Sequence, residues 1–252
     1  MAQVPAATRA LKVLRFLAGQ PEPVPVERIA RELGIPRSTT YHLLQAMAEE
    51  AFVVHLADDR RYGLGVAAFE VGSGYSRQAP LQRLARRPLA TLVDRTGHSA
   101  HLAVPHGRDV LYVVEERAPG RPPLVTDVGV RLPAHLTASG RAILCQLPPS
   151  QVRALYPDKA SFVDRTGLGP SSPTGLRSIL SETRQRGFAV EDGEVTAGMA
   201  SVAAAVLDHN EMPVAGVAIT YPTDELDERQ RERLAGAVVS TAATLSRRLR
   251  GR

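Results

Sequence analysis

The order of residue patterns along the 252-residue chain predicts an α+β protein built from two units. Its length exceeds one ordinary domain of about 150 residues. Helical periodicity and one short hairpin fill the chain as far as Leu64; from Pro80 onward strand pairs alternate with helices, which implies an antiparallel sheet covered by helices. A composition of 44% hydrophobic and 23% charged residues supplies a core for each unit and excludes wholesale disorder.

Ala7, Leu11, Leu14 and Ala18 fall at helical spacing and predict an apolar stripe on a first helix, closed by Gly19 and the proline-rich run from Pro21 to Pro25. Val26, Ile29, Ala30 and Leu33 predict a second helix, with Gly34 at a left-handed stop and Pro36 in the first turn of a third. That third helix separates into two faces. Thr40, Leu43, Leu44 and Met47 point inward; Ser38, Tyr41, His42 and Gln45 form a hydrogen-bonding row, with Arg37 just ahead of it at the positive end. Phe52 to His55 and Arg61 to Leu64 then read as a hairpin turning through Ala57 to Arg60.

Three short helices with a tight second-to-third turn, followed by a hairpin, form a winged helix-turn-helix arrangement. An exposed helix about 10–12 Å across fits a DNA major groove, where Arg, Gln, Ser and His read base edges. Arg60 and Arg61 at the hairpin tip reach phosphates or the minor groove. A three-helix module used for protein contacts shares the same pattern, and residues 1–80 carry nine basic against eight acidic side chains, so bulk charge does not choose between the two.

Residues 66–78 continue as a connector helix. Beyond it, Leu81, Leu84, Leu92 and Val93 mark a helix; Ala100–Val104 with Val110–Val114 and Val202–Leu207 with Val214–Thr220 read as hairpins. Leu124–Val128 is a further strand candidate, Tyr156 to Gly175 a loop, Leu176 to Arg186 a helix, and Leu234, Val238, Leu245 and Leu249 line one side of a terminal helix. Thr137 caps a helix whose first turn is Ala138, Ser139 and Gly140; small side chains there leave backbone N–H groups open to a carboxylate, although a plain capped helix explains the same residues. Glu191, Asp192 and Glu194 read either as paired acids of a hydrolase or as a solvated loop.

The single cysteine, Cys145, excludes an intrachain disulfide and any cysteine-based zinc cluster, and it reads as a small buried residue. His98, His101, His106 and His135 form no metal-binding helix pair, so no metal or other cofactor is expected. No apolar run reaches the ~18 residues of a membrane span, no secretory pattern opens the chain, and a cytoplasmic protein is expected. Neither a Gly-x-Ser-x-Gly elbow nor a Ser-x-x-Lys motif occurs, which argues against an enzyme.

Two stretches carry a family likeness. Ile35 to Leu44 looks like the recognition helix, and Leu132 to Ala142 like the ligand-domain motif, of the IclR-type transcriptional regulators, which the chain resembles over essentially its whole length. Gly187, Glu194, Ser201, Val202, Ala203, Val206 and Asp208 keep the family's spacing, while Glu191 stands where Asp or Ser is usual, Leu207 where an aromatic residue or His is usual, and His42 where Arg is frequent. The resemblance implies a winged helix-turn-helix DNA-binding domain over 1–65, the connector helix 66–78, and a GAF-like effector-binding and oligomerisation domain over 79–252. It places DNA contacts at Arg37, Ser38, Thr39, Tyr41, His42, Gln45, Arg60 and Arg61. An effector pocket falls at Ala138, Ser139, Gly140, Glu191, Met199, Ser201, Ala218 and Thr220. The implied function is a repressor that binds an inverted-repeat operator in double-stranded DNA as a homodimer or homotetramer and answers to a small organic acid. The competing class is a ligand-binding module or enzyme whose N-terminal helices serve protein contacts.

Overall fold

Helices come first and a sheet later, as the periodicities require, in the computed structural model, which describes residues 4–78, 80–121 and 124–250, with backbone alone for 73–78 and 80. Two units separate, Met1–Ala79 and Pro80–Arg252.

In the first unit, α1 (Pro5–Ala18), α2 (Val26–Leu33) and α3 (Arg37–Glu49) pack around Val13, Leu17, Ile29, Leu44 and Met47. The stripe expected on α1 is corrected. Ala10, Val13, Leu14 and Leu17 face the core, whereas Ala7, Leu11 and Ala18 are exposed. Both sets have helical spacing, and only the positions of α2 and α3 decide which face is covered. Gly34 does stop α2 in the left-handed region, at φ 63°. Pro36 sits one place earlier than expected, as the residue before α3, and Thr40 Oγ1 ties the helix start by donating to the Pro36 carbonyl at 3.1 Å. The hairpin is β2 (Val53–Leu56) with β3 (Arg61–Leu64), and a short strand missed in the proline-rich run, β1 (Val24–Pro25), pairs antiparallel with β3. The helix expected over residues 66–78 is α4 (Val66–Gln78).

The second unit is a six-stranded antiparallel sheet in the order β6-β5-β4-β9-β8-β7. Its strands are β4 (Ser99–His106), β5 (Asp109–Glu116), β6 (Arg131–Pro133), β7 (Ala189–Asp192), β8 (Met199–Leu207) and β9 (Pro213–Pro222). On one face α5 (Pro80–Thr96) and α9 (Glu228–Leu249) bury Leu89, Leu92, Val238 and Leu245 against Leu102, Val202, Val217 and Ile219. The other face carries α6 (Ala138–Gln146), α7 (Pro149–Leu155) and α8 (Pro173–Arg186). Leu124–Val128 is not a strand but a run of turns, because no sheet edge receives it, and the expected loop from Tyr156 to Gly175 holds a short 3₁₀ turn, Lys159–Ser161, and the first turn of α8.

Small residues bring α6 onto the sheet. Ala138 and Ala142 meet Ala189, Ala203 and Ala218. A Cβ on Gly216 would lie 2.8 Å from the Ser139 carbonyl oxygen, and one on Gly140 would lie 2.2 Å from that of Ala134. Neither glycine tolerates a side chain, and this close approach aims the start of α6 at the sheet face.

Candidate functional site

The polar row of α3 lies outward. Arg37, Ser38, Tyr41, His42 and Gln45 are exposed, Thr39 is half-buried, and Thr40, Leu44 and Met47 are buried beneath them. Partners on the same surface hold the row. Arg37 pairs with Glu27 of α2 and lies over the Tyr41 ring at 5.8 Å, and Gln45 Nε2 donates to Glu49 at 3.2 Å. These are exposed contacts that a phosphate or a base edge displaces at small cost. Arg60 and Arg61 part company. Arg60 stands in the turn of the hairpin at φ 51°, whereas Arg61 Nη1 donates to the Pro23 carbonyl at 3.2 Å and approaches Glu22 at 3.9 Å. At the hairpin, Arg60 thus stands in the turn itself and Arg61 is tied to the segment that leads into β1.

In the second unit a cavity of about 330 Å3 opens at the start of α6. Ala138, Ser139, Glu191, Met199, Ser201, Ala218 and Thr220 line it, seven of the eight residues expected there. Gly140 does not. Its Cα packs on Ala134, and its N–H donates to Thr137 Oγ1 at 3.0 Å, closing the cap. The N–H groups left without an intrahelical acceptor at this end are those of Ala138 and Ser139. Ser139 Oγ is buried without a hydrogen-bond partner.

Opposite them, Glu191 is 3% exposed. Burial pushes its carboxyl up to about 7, with the nearby Glu194 charge adding to the rise and the Val195 N–H, which donates to Glu191 Oε1 at 3.0 Å, opposing it. Ser201 and Thr220 share a hydroxyl hydrogen bond of 3.0 Å beside it. Glu194 belongs to the scaffold: Arg141, 3% exposed, donates to its Oε1 at 2.8 Å and to the Val190 and His135 carbonyls at 2.7 and 2.9 Å. The three acids thus divide into a cavity carboxyl, Glu191, an exposed Asp192 and a structural Glu194, and they form no catalytic pair.

Sequence reasoning missed several lining residues: His101, Tyr112, Leu124, Val125, Thr126, Thr137, Val195, Thr196 and Ala197. Strand alternation was a usable signal for His101 and Tyr112, since His101 is paired opposite Ala218 on the cavity face. Burial holds the Tyr112 phenol well above its ordinary value, so it enters the site as a donor. Thr126 Oγ1 and His101 Nε2 are hydrogen-bonded at 2.8 Å, which pins the turn segment 124–128 across the cavity. Among the described residues no group of three or more His, Cys, Asp or Glu is placed to hold a metal ion.

With this geometry in place, the relatives are informative. Residues 74–247 match the bacterial transcriptional regulator IclR C-terminal domain, and residues 6–57 match the IclR helix-turn-helix domain. The chain belongs to the IclR family. It is similar to the glycerol operon regulatory protein of Streptomyces coelicolor, 33% identical over 96% of this chain and 94% of that one. The transcriptional repressor IclR of Escherichia coli is 30% identical over 96% of this chain and 88% of its own length. The crystal structure of the Thermotoga maritima IclR superposes with a TM-score of 0.74 at 27% identity, covering 98% and 99% of the two chains. As an IclR-family protein it is a DNA-binding transcriptional regulator and not an enzyme. The expected fold, a winged helix-turn-helix followed by an effector domain with an antiparallel sheet, is the one found. No helix among the described residues is long and apolar enough to cross a membrane.

Proposed function

We propose that this IclR-family regulator is a repressor whose operator is an inverted repeat, that it acts as a homodimer or tetramer, and that a small organic acid bound at the start of α6 controls it. The observation that carries the acid is the pairing of two N–H groups without an intrahelical acceptor, of Ala138 and Ser139, with a buried carboxyl across one cavity. A ligand carboxylate docks on the helix end, where the aligned peptide dipoles favour negative charge. Glu191, protonated over part of the neutral range, donates to a second oxygen of the ligand, and the Ser201 and Thr220 hydroxyls lie within the same wall. Met199, Leu124 and Val125 adapt to the carbon frame. Gly140 contributes by allowing the close approach, not by touching the ligand.

On the DNA, Arg37, Ser38, Thr39, Tyr41, His42 and Gln45 read one major groove per protomer, and Arg60 supports them from the hairpin. Repression agrees with the sense of regulation named for the Escherichia coli relative. An effector that prefers one arrangement of the paired DNA-reading units by ~1–3 kcal/mol changes operator affinity about 5- to 150-fold.

Footprinting on the DNA flanking the gene, with and without a panel of short carboxylic acids, tests the reading. We expect a protected inverted repeat that one acid releases; no protected site at any salt overturns it. Arg37→Ala and His42→Ala each weaken specific binding by about 1–3 kcal/mol if the side chain contacts a base. Ser139→Leu, which adds bulk to the buried cavity wall, abolishes release by the acid and keeps operator affinity. A retained acid response places the effector elsewhere.

A further inference from the structure

A second concavity, of about 270 Å3, lies between α7 and α8 and shares no lining residue with the cavity at the start of α6. Its floor is Tyr156, Leu176 and Leu180, which retain only 2%, 1% and 2% of their surface exposed although they line an open void. These three side chains are sealed beneath the slot, so the apolar surface it opens to a ligand is that of Pro149, Val152 and Pro173 with the arginine stems. Its remaining wall carries Arg153, Arg177 and Arg184, and no carboxylate lines it.

The ion pairs found in this unit among the described residues involve none of these three arginines. Arg184 is fixed in place, since its Nε donates to the Cys145 carbonyl at 2.6 Å near the last turn of α6, leaving its terminal nitrogens for another acceptor. Arg153 and Arg184 also sit in the last turns of α7 and α8, where a cation suits the helix dipole. That explanation does not reach Arg177, which lies early in α8, nor the apolar slot the three surround.

We propose that this slot is a second ligand site on the effector unit, taking a slender amphipathic anion whose alkyl or aryl body enters between α7 and α8 while its carboxylate meets the arginines. The exposed apolar wall, Pro149, Val152, Pro173 and the arginine stems, gives affinity in proportion to the area a ligand covers. The guanidinium groups choose a planar carboxylate over a neutral head group. At roughly 30 Å3 per water-sized unit, the slot holds a body of about nine heavy atoms, which makes octanoate a suitable probe. The proposal stands independently of the effector assigned to the cavity.

Equilibrium dialysis of octanoate and of 1-octanol against the full-length protein is the test. Octanoate is expected to bind at one saturable slot site per chain, to keep that site in the Ser139→Leu variant whose other cavity is filled, and to bind at least tenfold more weakly in the Arg153→Gln/Arg177→Gln variant. Binding of 1-octanol is expected to change less than twofold on the same pair of substitutions, and Arg153→Lys/Arg177→Lys is expected to recover part of the octanoate affinity. Both arginines are exposed, so the Gln pair is expected to melt at the wild-type temperature. In the otherwise wild-type chain the pair removes one octanoate site, a comparison that does not depend on Ser139→Leu folding. Equal octanoate binding after the Gln substitutions, or loss of all octanoate binding in a folded Ser139→Leu protein, overturns the proposal. So does a wild-type chain that binds no octanoate, whether or not the Gln pair alters its oligomeric state.

Discussion

Arg37 and Arg141 are both placed in the first turns of helices that the sequence marks as functional, and the molecule uses them in opposite ways. The Arg37 side chain is 62% exposed, paired with an equally reachable Glu27 and stacked over Tyr41. Arg141 is 3% exposed, with its guanidinium spread over two carbonyls and Glu194. An exposed pair contributes little to stability and remains exchangeable for a phosphate or a base. A buried one is costly to break because its partners stay behind without water. Polar substitutions on the exposed face of α3 should therefore act on DNA and leave the fold alone, whereas polar substitutions around α6 should act on the fold first.

The sharpest break of that contrast is Arg141→Met. The substitution keeps the bulk but strands the Glu194 carboxylate, 13% exposed, together with the Val190 and His135 carbonyls. A loss of about 3–5 kcal/mol is expected, read as a lower urea midpoint of the second unit's transition with the first unit's transition unchanged. A midpoint within experimental error of wild type would mean that the network is not what holds the turn 191–195 to α6.

Glu191 gives a pH-dependent effect of the next size. Its folded-state value, about 7, lies above the ordinary 4.5 because burial disfavours the charged form. Between those two values the folded chain holds a proton that the unfolded chain has released. Stability therefore falls as pH rises from about 4.5 to about 7 and is level above that. The full span corresponds to roughly 3 kcal/mol. Glu191→Gln should flatten that part of the stability curve and make the protein more stable at pH 8 than wild type, checked by urea melts at pH 5 and pH 8. A Glu191→Gln curve parallel to wild type would show the carboxyl to be already compensated when charged.

The same contrast explains what could be read in advance. The two faces of α3 were legible because a half-buried helix writes its orientation into its periodicity, with Thr40, Leu44 and Met47 inside and Tyr41, His42 and Gln45 outside. On α1 periodicity alone put the stripe through Ala7, Leu11, Leu14 and Ala18, and packing chose Val13 and Leu17 over Leu11. Every residue of α6 from Ala138 to Cys145 is buried, so the helix has no solvent face to reveal how it sits; its small residues and Thr137 cap marked the site, but not that Gly140 serves packing. Of the seven expected residues that line the cavity, Ala138 and Ser139 were marked by the capped helix start and Glu191 by the acidic run, whereas Met199, Ser201, Ala218 and Thr220 came from the family likeness alone; those supplied by the turn segment 124–128 were hidden because Leu124–Val128 has the composition of a strand. β1 and β6, two and three residues long, are shorter than any alternation can mark.

The smallest effects lie in the hairpin, where the contrast reappears between neighbours. Arg60 holds a left-handed backbone, φ 51°, that suits glycine better than any branched side chain, so its presence there calls for a role of the side chain itself. Arg60→Gly relaxes the turn and removes the charge together. Stability is expected to be unchanged or to rise by up to about 1 kcal/mol, while the slope of log affinity against log salt becomes shallower by about one. Arg61 is spent on the Pro23 carbonyl that joins β1 to the hairpin. Arg61→Ala should cost about 0.2–1 kcal/mol of stability and leave the salt slope where it was. Salt titrations of operator binding beside urea melts of the two variants separate the cases. If Arg61→Ala lowers the slope and Arg60→Gly does not, the cation facing the phosphates is the one now read as a tether, and the division between exposed readers and structural arginines would have to be redrawn within this unit.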